Sequence, residues 1–220
     1  MFYFEETNGY KVLKSDLGVN YGVNHCFTTR GLTPSLALPL GGGTSLITPQ
    51  QTHSDHVEFV DERVDYPDTD GLIITKKNIP IALRFADCTP LIFYDTKQKI
   101  GAISHAGWRG TVQKIGPKTI FKMQSNPKDI IAIIGPAIGL CCYEVSDDVR
   151  GKLLETVKDT RNLIQGKNVD LKQINKRQLE EIGVVKIDIC PYCTSCNNDL
   201  FYSYRKENGT SERHYALLML

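Results

Sequence analysis

An α+β fold with mixed or antiparallel sheets covered by helices, in a single domain across residues 1–220, is the architecture this sequence predicts. Three observations carry that expectation. Short β-branched apolar runs outnumber helical stretches, helices interrupt them without strict βαβ alternation, and no internal repeat, Ser/Gly linker or low-complexity tract divides the chain. The composition fits a globular protein with a sizeable core, at 41% hydrophobic and 23% charged residues. A net charge of +1 argues against nucleic acid or an anionic membrane as the main partner and leaves small ligands open.

Taken in chain order, MFYFEETNGYKVLKSD has acidic residues where a signal peptide needs a basic region and an apolar stretch. No run approaches the roughly 18 apolar residues of a membrane span, so a cytoplasmic location is expected. The turn-rich stretch from Thr29 to Gln51 reads as a long surface loop. Buried strands are expected in GLIIT at Gly71, in IALRF to LIFYD across 81 to 95, in IGAIS before His105, and in DIIAII at Asp129. Pro117 should kink or end the helix-like GTVQKI early. Amphipathic cover helices are expected in SDDVRGKLLETVKD, where Ser146 caps and two aspartates favour the positive N-terminus, and in LKQINKRQLEEIG, ended by Gly183. The tail returns to strand in VVKIDIC, and Asn208-Gly209 predicts a hairpin within FYSYRKENGTSERHYALLML.

Seven cysteines, an odd number in a chain too long to need disulfide staples, read as thiols or metal ligands. QQTHSDHV, RFADCTP and ISHAGWRG combine ligand-type side chains with turn residues at strand ends, and offer His53, Cys88 and His105. Three ligands from separate segments would leave a fourth zinc position open, as in a site that generates a nucleophile; the alternative is a turn-capping His53 and a buried Cys88. HAGWRG also makes a strand-to-helix turn whose free N–H groups and glycines, Gly107 and Gly110, suit an anion, with Arg109 as a fork for phosphate oxygens. Its alternative is an arginine packed on Trp108. Cys88 with His105 also fits a nucleophile and base aided by Asp87 or Asp55. His56-Val57-Glu58 matches half of a zinc nucleobase deaminase motif, but PYCTSC supplies the other half only with an inserted residue. Cys190, Cys193 and Cys196 form a CxxCxxC run of metal-ligand type, or incidental buried thiols. The adjacent Cys141 and Cys142 are expected to wall the site rather than chelate.

The ordered set FTTRG at Phe27, QTHSDHV at Gln51, DGLIIT at Asp70, ADCTPLIFYD at Ala86, HAGWRG at His105, IGPAIGLCCYEV at Ile134 and CT…FYSYR at Cys193 resembles the multicopper-polyphenol-oxidoreductase (laccase-domain) family, from about Asn24 to Leu220. The resemblance implies an αββα sandwich-like fold and a purine nucleoside enzyme with zinc on His53, Cys88 and His105. It implies phosphorolysis of inosine, guanosine and methylthioadenosine to base and sugar 1-phosphate, and deamination of adenosine to inosine. Nucleoside and phosphate would be the partners. In this reading phosphate lies near Gly107, Gly110 and Arg109, with Arg30 of FTTRG as a further contact, and Asp87 orients a ligand or handles a proton. Peptidoglycan-precursor editing is an alternative use of the same residues, and a non-catalytic zinc protein another. Copper oxidation of phenols is a lesser one, since the sequence has no HxH pairs. Two departures from the family pattern stand out: the segment 31–50 is short, which is expected to thin one wall of the pocket, and a GTGR-like turn reads GTSER, displacing Arg213 by one residue.

Overall fold

The apolar runs form strands. A computed structural model, which describes residues 1–7, 9–37, 45–61 and 65–220, sets them into two facing sheets. In chain order the elements are β1 (Phe2–Thr7), β2 (Tyr10–Ser15), α1 (Asp16–Asn20), β3 (Asn24–Thr28), α2 (Pro34–Ala37), β4 (Val57–Phe59), β5 (Gly71–Ile74), β6 (Ile81–Phe85), β7 (Thr89–Asp95), β8 (Gly101–Ala106), α3 (Trp108–Val112) and α4 (Ile115–Lys122). Then follow β9 (Ile130–Ile134), α5 (Asp147–Leu154), β10 (Ile164–Gln165), β11 (Asn168–Val169), α6 (Leu171–Glu181), β12 (Lys186–Ile189) and β13 (His214–Met219). One sheet is ordered β1-β2-β3-β13-β6 and wholly antiparallel. The other large sheet is ordered β12-β9-β7-β8-β5-β4, with parallel pairs only at its two edges, and β10 and β11 pair as a separate antiparallel ribbon.

Alternation along each strand decides what lies between the sheets. Leu83, Phe85, Ile92, Ile103, Ile131, Ile133, Ala216 and Leu218 point inward and share one apolar cluster with Leu13, Phe27 and Leu72. The neighbours Leu91, Phe93, Ala102, Ile130, Ala132 and Ile134 face the other way and pack under α4 and α6 through Ile115, Ile120 and Leu179. On the far side, Val12, Cys26, Ala82 and Leu217 meet Leu32 and Ala37, at the short helix α2. Helix, sheet, sheet, helix is therefore the layer order, and the protein is α+β as its pattern predicts.

The capping signals are borne out. Ser146 accepts from the Val149 N–H at the start of α5. Gly183 ends α6 at φ +102, with its N–H bonded to Glu180 O and the Val184 N–H to Leu179 O, so two carbonyls of the last turn are satisfied. Pro117 does not kink a helix: the break precedes it at Lys114, which takes the left-handed conformation, and Pro117 falls in the first turn of α4, where its missing N–H costs nothing. The hairpin expected at Asn208-Gly209 is not formed. Both residues have positive φ, as the dipeptide suggests, but Gly209 N bonds to Tyr204 O and closes a helical turn, and β13 pairs instead with β3 and β6. A hairpin lies at the other end of the chain, where β1 and β2 pair from Phe2↔Ser15 to Thr7↔Tyr10. Of the expected long loop, Pro34–Ala37 is helical and Ile47 bridges to Ile81. Residues 38–44 lie outside the described residues, and with them most of the shortened segment's effect on the pocket.

Candidate active site

Strand register brings the predicted residues together. β8 lies between β5 and β7, with Ser104 opposite Gly71 and Ala106 opposite Thr89. His105 is thereby flanked by the residues just before those two strands, Asp70 on one side and Cys88 on the other. His53 arrives from a loop that Gln51 fastens: its side-chain amide donates to Arg84 O at 3.0 Å and accepts from Arg84 N at 2.8 Å, extending the edge of β6. The ligand atoms of His53, Cys88 and His105 all lie within 4.8 Å of one another. His53 and Asp87 sit at φ 66 and φ 84, strained values for non-glycine residues, both at this one place. Gly107 is required by close approach, since a Cβ there would stand 2.9 Å from Cys88 Sγ and 3.3 Å from His53 Cδ2.

Asp70, which the reading of single residues did not single out, organises the cluster. Its buried carboxylate accepts from His105 Nδ1 at 2.7 Å, from the Thr52 and Ser54 N–H groups, and from Ser54 Oγ. Burial alone would raise its pKa, but His105 and these N–H donors win and hold it below the usual range. The Asp70 bond leaves His105 Nε2 as the ring nitrogen available to the cluster. Burial would likewise push the Cys88 thiol up, yet the His105 charge and hydrogen bonds from His105 and His53 bring it down to about 6. His105 is raised to about 9, its burial outweighed by the Cys88 charge and the bond to Asp70.

The cluster opens onto a cavity of about 490 Å³ lined by polar and aromatic groups, among them Arg84, Tyr143, Tyr204, Arg205 and Arg213. Asp87 also lines it, but its two carboxylate oxygens are engaged, by Thr194 Oγ1 at 2.6 Å and by the Arg205 N–H at 2.7 Å. Arg205 stands over the Tyr143 ring, 5.5 Å from its centroid. The other expected phosphate contacts have other surroundings. Arg109 is exposed, lies 4.4 Å from the centroid of the Trp108 ring, and is absent from the cavity lining. Gly110 is buried, where a Cβ would meet His105 O at 3.1 Å. Arg30 forms a two-pronged ion pair with Glu207, at 2.9 and 3.2 Å, and stacks on Tyr202. His56 bonds Glu58 and Asp68 O rather than joining Cys193 or Cys196, so no deaminase-type motif assembles from these residues. Cys190 is buried away from Cys193 and Cys196, its carbonyl bonded by Lys172.

A family model described as multi-copper polyphenol oxidoreductase laccase matches residues 33–220. The chain belongs to this family. Within the laccase-domain family, a Bacillus subtilis protein named purine nucleoside phosphorylase YlmD is 35% identical over 195 residues, covering 79% of this chain and 70% of that protein. The Geobacillus stearothermophilus protein of the same name is 37% identical over 164 residues, 69% of this chain and 60% of its own. The crystal structure of YlmD from Geobacillus stearothermophilus superposes with a TM-score of 0.83 at 26% identity, covering 98% of each chain. That of a Bacillus licheniformis hypothetical protein, YfiH, gives 0.83 at 28%, covering 99% and 98%. Among the described residues no helix is long and apolar enough to cross a membrane.

Proposed function

We propose that this laccase-domain protein is a cytosolic, zinc-dependent purine nucleoside enzyme. It cleaves inosine, guanosine and methylthioadenosine with phosphate to base and sugar 1-phosphate, and deaminates adenosine to inosine. The observation that carries the reading is a three-ligand cluster, His53, Cys88 and His105, facing a cavity walled by three arginines and two tyrosines. Relatives named purine nucleoside phosphorylases support an enzyme acting on small molecules of this class.

The residues fit zinc. Imidazole and thiolate are both ordinary zinc ligands, a trio of them is the number a catalytic zinc takes from the protein, and the carboxylate of Asp70 on His105 Nδ1 is the outer support such a ligand usually has. When bound, zinc supplies a Lewis acid with one position left open to water or substrate. The chain's own groups supply the rest. Arg84, Arg205 and Arg213 give phosphate its cationic forks, a role that Arg109 and Arg30 are poorly placed to fill. Tyr143 and Tyr204 offer aromatic faces to the purine. Asp87, with both oxygens committed, holds the turn that presents Cys88 instead of shuttling a proton.

Chromatographic product analysis with adenosine, inosine and methylthioadenosine, each with and without phosphate, tests this. Phosphate-dependent release of base, or phosphate-independent inosine from adenosine, is expected; absence of product from all three contradicts it. The order Cys88, His105, Asp70 also matches a thiol nucleophile, its base and an orienting acid, which favours peptidoglycan-precursor hydrolysis as a second reading. Hydrolysis of muramoyl peptides that survives complete metal removal would select it.

A further inference from the structure

Four of the seven cysteines converge on a second place, and the topology explains why. β9 and β12 are parallel neighbours, paired from Ile131↔Lys186 to Ile134↔Ile189, so the segments that follow them leave the sheet side by side. The first carries Cys141 and Cys142, the second Cys193 and Cys196. A parallel bridge between Ala137 and Cys193, with the Thr194 N–H bonded to Ala137 O, holds the two segments together.

In extended chain, neighbouring residues point to opposite faces, an arrangement that would keep Cys141 and Cys142 from sharing a ligand. Here they occupy a turn, with Cys142 N and Tyr143 N both bonded to Gly139 O. Both sulfurs reach Cys196 Sγ, each at 3.5 Å, and all four Sγ atoms lie within 4.8 Å of one another. Four sulfurs around one zinc at about 2.3 Å stand about 3.8 Å apart in a tetrahedron. The two 3.5 Å separations lie close to that spacing, and they exceed the roughly 2.05 Å of a disulfide. Gly139 contributes twice: its N–H donates to Cys193 Sγ at 3.1 Å, a bond that favours the thiolate, and a Cβ there would lie 3.2 Å from Cys193 Cβ and 3.4 Å from Cys141 Sγ.

We propose that Cys141, Cys142, Cys193 and Cys196 form a closed tetrathiolate zinc site, separate from the cluster at Cys88. With four protein ligands it is a structural site. What it fixes is one wall of the cavity: Tyr143 follows Cys142 directly, and Thr194, beside Cys193, donates to Asp87 Oδ1 at 2.6 Å. The site stands whether or not the nucleoside reading holds.

The test is elemental analysis of the protein in a Cys88→Ala background, which removes the other thiolate ligand. One equivalent of zinc is expected there, and none after Cys141→Ser and Cys196→Ser are added. Cobalt in the Cys88→Ala protein should give thiolate charge-transfer bands that these two substitutions abolish. Because the added substitutions can unfold the chain, the Cys88→Ala protein is also titrated natively with a thiol reagent. Cys141 and Cys196 are exposed, so as free thiols they are open to the reagent with or without a chelator present. Protection that is lost together with release of one zinc supports the site. Immediate reaction, a disulfide among the four, iron in place of zinc, or zinc content unchanged by the added substitutions would overturn it.

Discussion

His105 shows how much one hydrogen bond decides. Its Nδ1 is held at 2.7 Å by Asp70, so the ring cannot turn and Nε2 is kept for the cluster. Asp70→Asn keeps the shape and removes the charge, and is expected to lower metal affinity at this site by roughly 10–100-fold, read by competition with a chromophoric chelator. Unchanged affinity would show that Asp70 does not support the ligand. His53, Cys88 and His105 were legible in the sequence because each sits among turn residues at the end of an apolar run. Asp70 opens DGLIIT without any such signal, since its partner is set by the register of β5 on β8, which no local pattern encodes. Arg30 and Arg109 carry the opposite lesson: an arginine beside glycines suits phosphate, but Glu207 and Trp108 are nearer.

At the scale of elements, the central strands were readable because both faces are covered, which leaves short continuous apolar runs between turns. Ile133 of β9 is 1% exposed in the layer between the sheets, and Ile133→Ala is expected to cost about 2–5 kcal/mol, measured by urea unfolding. A loss under 1 kcal/mol would mean that the layer relaxes around it. The edge hairpin β1–β2 was harder to read, and the Asn-Gly signal at Asn208-Gly209 misled, because positive φ there closes a turn onto Tyr204 O instead of joining two strands. β13, by contrast, carries a buried histidine. Burial, aided by the charge of Arg213, lowers the His214 pKa to about 3. The unfolded chain therefore takes up a proton below about 6.5 that the folded chain refuses, so stability is full above that pH and falls as pH drops toward 3. The slope is about 1.4 kcal/mol per pH unit, and His214→Leu should flatten it in unfolding measured at pH 7 and pH 5. An equal slope in both proteins would contradict this.

Across the whole molecule, the two sheets act as a frame and the chemistry stands at one end of it. The loops after β9 and β12, the turn before β7 and the segment before β5 all meet there, from four distant parts of the chain. The family pattern made the layers and the clustering of His53, Cys88 and His105 legible. It did not reveal the pairing of Cys141 and Cys142 with Cys193 and Cys196, which needs the parallel edge of the second sheet. Nor did it show the arginine-lined cavity, assembled from strand β6 and the segment 205–213. In the proposed enzyme His53, Cys88 and His105 hold one metal at which a nucleoside is turned over. The most direct measurement compares metal content and phosphate-dependent inosine cleavage in the wild-type and Cys88→Ala proteins. The variant is expected to lose one equivalent of metal and all turnover while keeping its fold. A variant that keeps the full metal complement and the full rate would contradict it.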